Sequence, residues 1–238
     1  MKASDGTGRA RAVVFDLGGV LLDWNPRYLY RQLFDGDEAA MERFLAEVCT
    51  MEWHHAHDLG VPPERNFAVL AEAHPDQAEL IWAWSQRSEE MIGGPIDGAV
   101  KLLAELKAAG VPCYALTNME RETYPQRLAR FPFLSWFDGT VVSAFEGVAK
   151  PDVAIFELLL DRFDLDPART ILIDDSRANV EAARSVGMQA IEFESPEQLR
   201  RRLGYAGLLG GVSPPVPSPW PEDPCPPRGR GTAASGSA

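Results

Sequence analysis

The run Ala12-Val13-Val14-Phe15 stops at Asp16 and is followed by Leu17-Gly18-Gly19. Continuous apolar character without polar alternation belongs to a strand covered on both faces, and such strands occur almost only in parallel sheets flanked by helices. The same construction returns at residues 170–173, which run into Asp174-Asp175. Further strands are predicted at residues 112–116, before Thr117-Asn118, at 140–143 and at 189–193. Helical patterns lie between them. Ala99, Leu102, Leu103 and Leu106 fall at i, i+3, i+4 and i+7, with Asp97 as predicted N-cap and Gly110 past the end. Phe156, Leu159, Leu160 and Phe163 repeat that spacing after Pro151, a residue tolerated in a first helical turn. A third helix is predicted from Arg177 to Val186, closed by Gly187. Strands alternating with single helices predict a Rossmann-like α/β fold, a doubly wound parallel sheet with right-handed crossovers.

The alternation breaks between residues 26 and 91. That stretch has helix-like patterns at 28–34, 38–50, 64–73 and 77–91 and no convincing strand, which predicts a helical cap subdomain inserted into a core made of residues 12–25 and 92–206. Residues 1–11 form a polar N-terminal extension with none of the apolar character of a signal peptide. From residue 207 the chain turns rich in Pro, Gly and Ser, with eight prolines between Pro214 and Pro227, and a disordered tail is predicted over 207–238. Cys49, Cys113 and Cys225 are odd in number and far apart, as expected in a reducing cytoplasm. No apolar run approaches the length of a membrane span.

A net charge of −12 argues against nucleic-acid and anionic-membrane partners. It also means that an anionic substrate would need positive charge supplied locally. In a parallel sheet the chemistry gathers at the C-terminal strand ends, which here carry Asp16, Thr117, Asn118, Asp174 and Asp175, with Lys150 in a nearby loop. Asp16 could cap a turn. It could equally be an exposed nucleophile, with Gly18 and Gly19 letting backbone N–H groups approach an anion. Adjacent carboxylates at Asp174-Asp175 repel one another unless a cation compensates, and a hard ion such as Mg²⁺ is the simplest one. Capping of the next helix by Asp175 or Ser176 is compatible with that. Thr117 and Asn118, routine turn residues by themselves, become candidate phosphate ligands beside two acidic strand ends. The residue before a proline is held extended, so Pro151 would help to aim Lys150.

Taken in order, VVFDLGGVL (residues 13–21), ALTN (115–118), AKPD (149–152) and ILIDDSRANVEAARSVGM (171–188) resemble the haloacid dehalogenase superfamily, and the resemblance covers about residues 12–195. The helical insert is similar to that family's helical cap. The first motif is similar to a branch that includes glucose-1-phosphate phosphatases. The resemblance implies hydrolysis of a small phosphate ester, such as a sugar phosphate, through an aspartyl-phosphate on Asp16. It implies Mg²⁺ held by Asp16, the Gly18 carbonyl, Asp174 and Asp175. Thr117 and Asn118 would then hold the transferring oxygens, and Lys150 would neutralise charge and orient Asp16.

One position departs from the family. Its phosphatases carry a general-acid aspartate two residues after the nucleophile, and here that residue is Gly18. Either the leaving group needs little protonation, or another group supplies the proton, or the enzyme is a hydrolytic 2-haloacid dehalogenase acting through an ester on the same Asp16. A non-catalytic binding protein that kept the fold is a further alternative. In the cap, Glu52-Trp53-His54-His55-Ala56-His57-Asp58 gathers three of the four histidines. A transition-metal site on His54, His57 and Asp58 is conceivable. The favoured expectation is that His54 and His55 line the cap side of the pocket and select the leaving group.

Overall fold

A computed structural model describes residues 12–59 and 61–210. The predicted strands form one five-stranded sheet, all parallel, in the order β5-β4-β1-β6-β7. A short antiparallel pair stands apart from it: β2 (Leu22–Trp24) with β3 (Ile92–Pro95). The main sheet consists of β1 (Ala12–Phe15), β4 (Cys113–Thr117), β5 (Gly139–Val142), β6 (Thr170–Asp174) and β7 (Gln189–Glu192). From β1 the chain builds outward through β4 and β5, then returns to the other side of β1 for β6 and β7. The order therefore reverses at β1, where Asp16 emerges.

Both faces of the sheet are covered, which explains why its strands read as unbroken apolar runs. Val13, Phe15, Ala115, Ile171 and Ile173 meet Leu102, Leu103 and Leu106 of α6 (Asp97–Ala108) and Leu199 and Leu203 of α11 (Pro196–Tyr205). Val14, Leu116 and Leu172 meet Ile155, Phe156 and Leu159 of α9 (Val153–Arg162) and Val180 and Ala183 of α10 (Arg177–Ser185). Two shorter helices, α7 (Thr123–Arg130) and α8 (Ser143–Glu146), follow β4 and β5.

The helical stretch between β2 and β3 contains five helices: α1 (Arg27–Leu33), α2 (Glu38–Glu47), α3 (Met51–Asp58), α4 (Pro63–Ala73) and α5 (Ala78–Gln86). They bury their own cluster of Leu29, Tyr30, Met41, Phe44, Phe67, Ile81 and Trp84. Helix α3 is the one that periodicity missed, because its residues mix imidazoles and acids rather than alternating leucines. Thr50, expected inside the preceding helix, instead N-caps α3 through Oγ1, which accepts from the Trp53 N–H at 3.1 Å. The stretch expected to be helical to residue 91 ends at Gln86 and continues as a tight turn over Ser88–Met91.

Several local expectations are corrected. Asp97 is the first residue of α6 rather than its cap. Pro151 precedes α9, which Asp152 caps, and the Lys150-Pro151 peptide is cis. Neither Asp175 nor Ser176 caps α10 with its side chain; the Ser176 N–H donates to the Asp174 carboxylate at 2.9 Å. The expected tail starts too early. Leu208 N–H bonds to the Leu203 carbonyl at 3.0 Å, and Leu208 and Leu209 pack on the core. The N-terminal extension and the proline-rich stretch lie outside the described residues. Among the described residues no helix is long and apolar enough to cross a membrane.

Candidate active site

Parallel register brings the strand ends together. Phe15 is level with Ile173 of β6 and Ala115 of β4, so Asp16, one residue on, comes level with Asp174 and Leu116. Its N–H bonds to the Ile173 carbonyl at 2.9 Å, and its Oδ1 accepts from the Leu17 N–H at 2.7 Å. Lys150 is fully buried between the two acids. Its Nζ lies 2.8 Å from Asp16 Oδ2 and 2.6 Å from Asp174 Oδ2. The remaining Asp174 oxygen accepts from the Asn179 amide of α10 at 2.9 Å as well as from Ser176. Burial opposes the Lys150 ammonium, but the two carboxylates together hold its pKa above the ordinary lysine range.

Asn118 does something the sequence did not suggest. Its side-chain amide bonds to the Lys150 backbone in both directions, Nδ2 donating to the Lys150 carbonyl and Oδ1 accepting from the Lys150 N–H, each at 2.9 Å. It thereby fixes the loop that delivers the ammonium. Thr117 is buried at the end of β4, and its hydroxyl reaches only the Asn118 carbonyl at 3.5 Å, a contact too long to hold it. Gly18 and Gly19 differ in what they require. Gly19 has φ +72°, and a Cβ there would lie 2.2 Å from Asp175 Oδ2, so only glycine fits. At Gly18 a Cβ would meet nothing nearer than Trp24 Cβ at 3.9 Å. Space does not impose the glycine at 18.

Asp16, Asp174 and Asp175 offer carboxylate oxygens within 4.8 Å of one another. These are hard oxygen donors in excess of the single ammonium that serves them, which suits a hard divalent cation. The electrostatics agree. Burial pushes the Asp16 carboxyl above its ordinary range, Lys150 opposes this and Asp174 adds to it, and a further cation would relieve the strain.

Above this floor lies a cavity of about 600 Å³. Thr117, Asn118, Gly18 and Gly19 line it, as do His54, His55 and Asp58 of α3. Its apolar wall includes Leu22, Trp24, Met51, Trp84, Met91, Ile92 and Met119. His54 stacks on Trp24, with ring centroids 5.7 Å apart, and tilts against Trp84 at 5.0 Å. His57 does not line the cavity. It stacks on Phe67 at 4.9 Å, and its Nε2 lies 2.8 Å from the Asn66 amide. Burial holds both imidazoles far below their ordinary range, His54 to about 3 with His57 and His55 adding to the effect, and His57 to about 4. The conceivable metal set of His54, His57 and Asp58 is not the cluster that forms. Glu120 takes the place of Asp58 beside the two imidazoles, with Oε1 3.4 Å from His57 Nδ1. Asp23, just past the first motif, accepts from the Tyr28 hydroxyl at 2.6 Å.

Sequence reasoning missed Asn179, Glu120 and Arg127 as cavity residues. Asn179 was within reach, because it stands five residues after Asp174 in the first turn of the helix that follows. Glu120 and Arg127 had no signal, since their place depends on how the helical insert sits over β4.

The description "haloacid dehalogenase-like hydrolase" matches residues 10–187. The sesquiterpene phosphatase astK of Aspergillus oryzae is 31% identical across 77% of this chain and 89% of its own. A phosphorylated carbohydrates phosphatase of Thermotoga maritima is 26% identical across 76% of this chain and 83% of its own. A Bacteroides thetaiotaomicron HAD family enzyme, solved in complex with magnesium and inorganic phosphate, has a similar fold with a TM-score of 0.57, at 21% identity over 78% of this chain and 95% of that one. With the matched motifs converging on one floor, the chain belongs to the haloacid dehalogenase-like hydrolases.

Proposed function

We propose that the chain is a magnesium-dependent phosphomonoester hydrolase that forms its covalent intermediate on Asp16. The observation that carries this reading is the buried Lys150 bridging Asp16 and Asp174, with Asp175 beside them, at the floor of a cavity. Asp16 attacks phosphorus, and Lys150 holds the attacking carboxylate in place and offsets the charge that accumulates around it. Thr117, Asn118 and Gly18 line the cavity beside Asp16, on the side from which the phosphoryl oxygens would be held. Mg²⁺ on Asp16, the Gly18 carbonyl, Asp174 and Asp175 would supply the positive charge that a protein of net charge −12 lacks elsewhere.

The cavity wall argues about the alcohol. Two tryptophans, three methionines, Leu22 and Ile92 make the wall mainly apolar, which favours an apolar or aromatic alcohol over a sugar. The likeness to a sesquiterpene phosphatase supports that preference, and the likeness to a carbohydrate phosphatase keeps sugar phosphates in the comparison. The helical insert of residues 26–91, acting as a cap, would make the selection through α3. Gly18 favours the dehalogenase alternative, since a halide leaves without a proton. The paired Asp174-Asp175 favours phosphate, because haloacid hydrolysis needs no cation.

The test is phosphate release from prenyl, benzyl, aryl and sugar phosphates with magnesium or EDTA, set beside halide release from 2-haloacids. Magnesium-dependent phosphate release, strongest for the apolar esters, is expected. Metal-independent halide release without phosphate release would replace this reading with the dehalogenase, and inactivity on every substrate would leave the non-catalytic binder.

A further inference from the structure

Asp58 ends helix α3, where the helix dipole disfavours negative charge, so its carboxylate contributes nothing favourable to the helix. It is buried, only 7% exposed. Oδ1 has no hydrogen-bond partner among the described residues, and Oδ2 meets His55 Nδ1 at 3.7 Å, beyond hydrogen-bond length. Asp58 lines the cavity that Asp16 and Lys150 floor, with its unpartnered Oδ1 shielded from solvent. The enzyme meanwhile has no carboxyl at position 18 to protonate a leaving group.

We propose that Asp58, delivered from α3, is the general acid and base of the reaction. This rests on the phosphatase reading above. The Asp58 O–H gives its proton to the bridging ester oxygen as an Asp16 oxygen bonds to phosphorus and the bond from phosphorus to that ester oxygen breaks, so the alcohol leaves neutral. The Asp58 carboxylate then takes a proton from the water that attacks phosphorus. The bond between Asp16 and phosphorus breaks, inorganic phosphate leaves, and Asp58 is protonated again.

The charged groups around Asp58 are consistent with this role. Burial pushes its carboxyl up to about 7, Glu120 and Asp16 push the same way, and Lys150 opposes them. His55 is a further titratable neighbour. The charges of the nucleophile and its lysine thus bear on Asp58 across the cavity. Glu120, a half-buried acid of the wall, is pushed up to about 7 by burial and Glu122, against Thr123 and Arg127. Glu120 is also engaged, lying 3.4 Å from His57 Nδ1 and 3.5 Å from the Thr123 hydroxyl.

The experiment compares kcat/KM of the magnesium-loaded wild type, Asp58→Asn, Asp58→Glu and Glu120→Gln on two esters. 4-Nitrophenyl phosphate has a leaving group that needs little protonation, whereas benzyl phosphate needs it fully. Asp58→Asn is expected to lose roughly 10²–10⁴-fold on benzyl phosphate and less than about tenfold on 4-nitrophenyl phosphate, with Asp58→Glu recovering part of the loss. Wild-type activity on benzyl phosphate should fall as pH rises through the Asp58 pKa, and that limb should vanish in Asp58→Asn. Equal losses on both esters, no loss on either, or a selective loss in Glu120→Gln instead would overturn the assignment. A wild type that hydrolyses neither ester, nor any ester of the wider panel, would overturn the phosphatase reading and this proposal with it.

Discussion

On the floor of the cavity, Lys150, Asp16 and Asp174 are joined by contacts of 2.6 and 2.8 Å, and Asn118, Asn179 and the Ser176 N–H hold them from behind. On the wall, α3 presents His54 through ring stacking and Asp58 with one oxygen unpartnered. The floor is fixed by strand register and a closed ionic network. The wall is fixed by packing of an insert with its own core. A preorganised floor suits a chemical step common to many substrates, because its charges need no rearrangement as the reaction proceeds. The wall can change its side chains without disturbing that step, which fits the proposed selection of the alcohol there.

The sharpest way to break this division is to remove the ammonium from the floor. Lys150→Met leaves two buried carboxylates facing each other and should cost about 3–5 kcal/mol of stability, together with activity on every ester. Urea unfolding in EDTA measures it, and a cost under about 1 kcal/mol would show that the floor is not the closed network described. A second change moves the acid from wall to floor. Because position 18 has room for a side chain, Gly18→Asp introduced into Asp58→Asn should restore at least about tenfold of the lost benzyl phosphate activity. Absence of any recovery would argue that protonation is not what the Asp58 variant lost. The mildest change touches the wall alone. Met51 is 55% exposed yet lines the cavity, so Met51→Ala should raise KM for apolar esters roughly three- to tenfold at unchanged kcat. An equal fall in kcat would blur the boundary between the two regions.

The floor was legible in the sequence because each of its acids ends an apolar strand, and strand ends converge in a parallel sheet whatever the loops do. Asp16 and Asp174 could be paired before any coordinate was known, and Lys150 could be joined to them by family resemblance. The wall was much less legible. His54 and His55 were placed in the pocket by composition alone, and α3 itself went unrecognised because its burial comes from imidazole and indole rings rather than a leucine period. Asp58 stood in view beside the histidines, but nothing local showed that one of its oxygens would lack a partner. The β2–β3 pair was missed for a related reason. Leu22-Asp23-Trp24 is too short for a period, and Gly93-Gly94 in the opposite strand resembles a turn.

The account depends most on Asp16 carrying the phosphoryl group. Enzyme quenched in acid during turnover of an apolar phosphate ester with magnesium, then reduced with borohydride and sequenced by mass spectrometry, tests it directly. Homoserine is expected at position 16 in the wild type, with no such product in Asp16→Asn, whose turnover should fall by on the order of 10³-fold or more. Phosphate release with position 16 unmodified, or undiminished in Asp16→Asn, would contradict it.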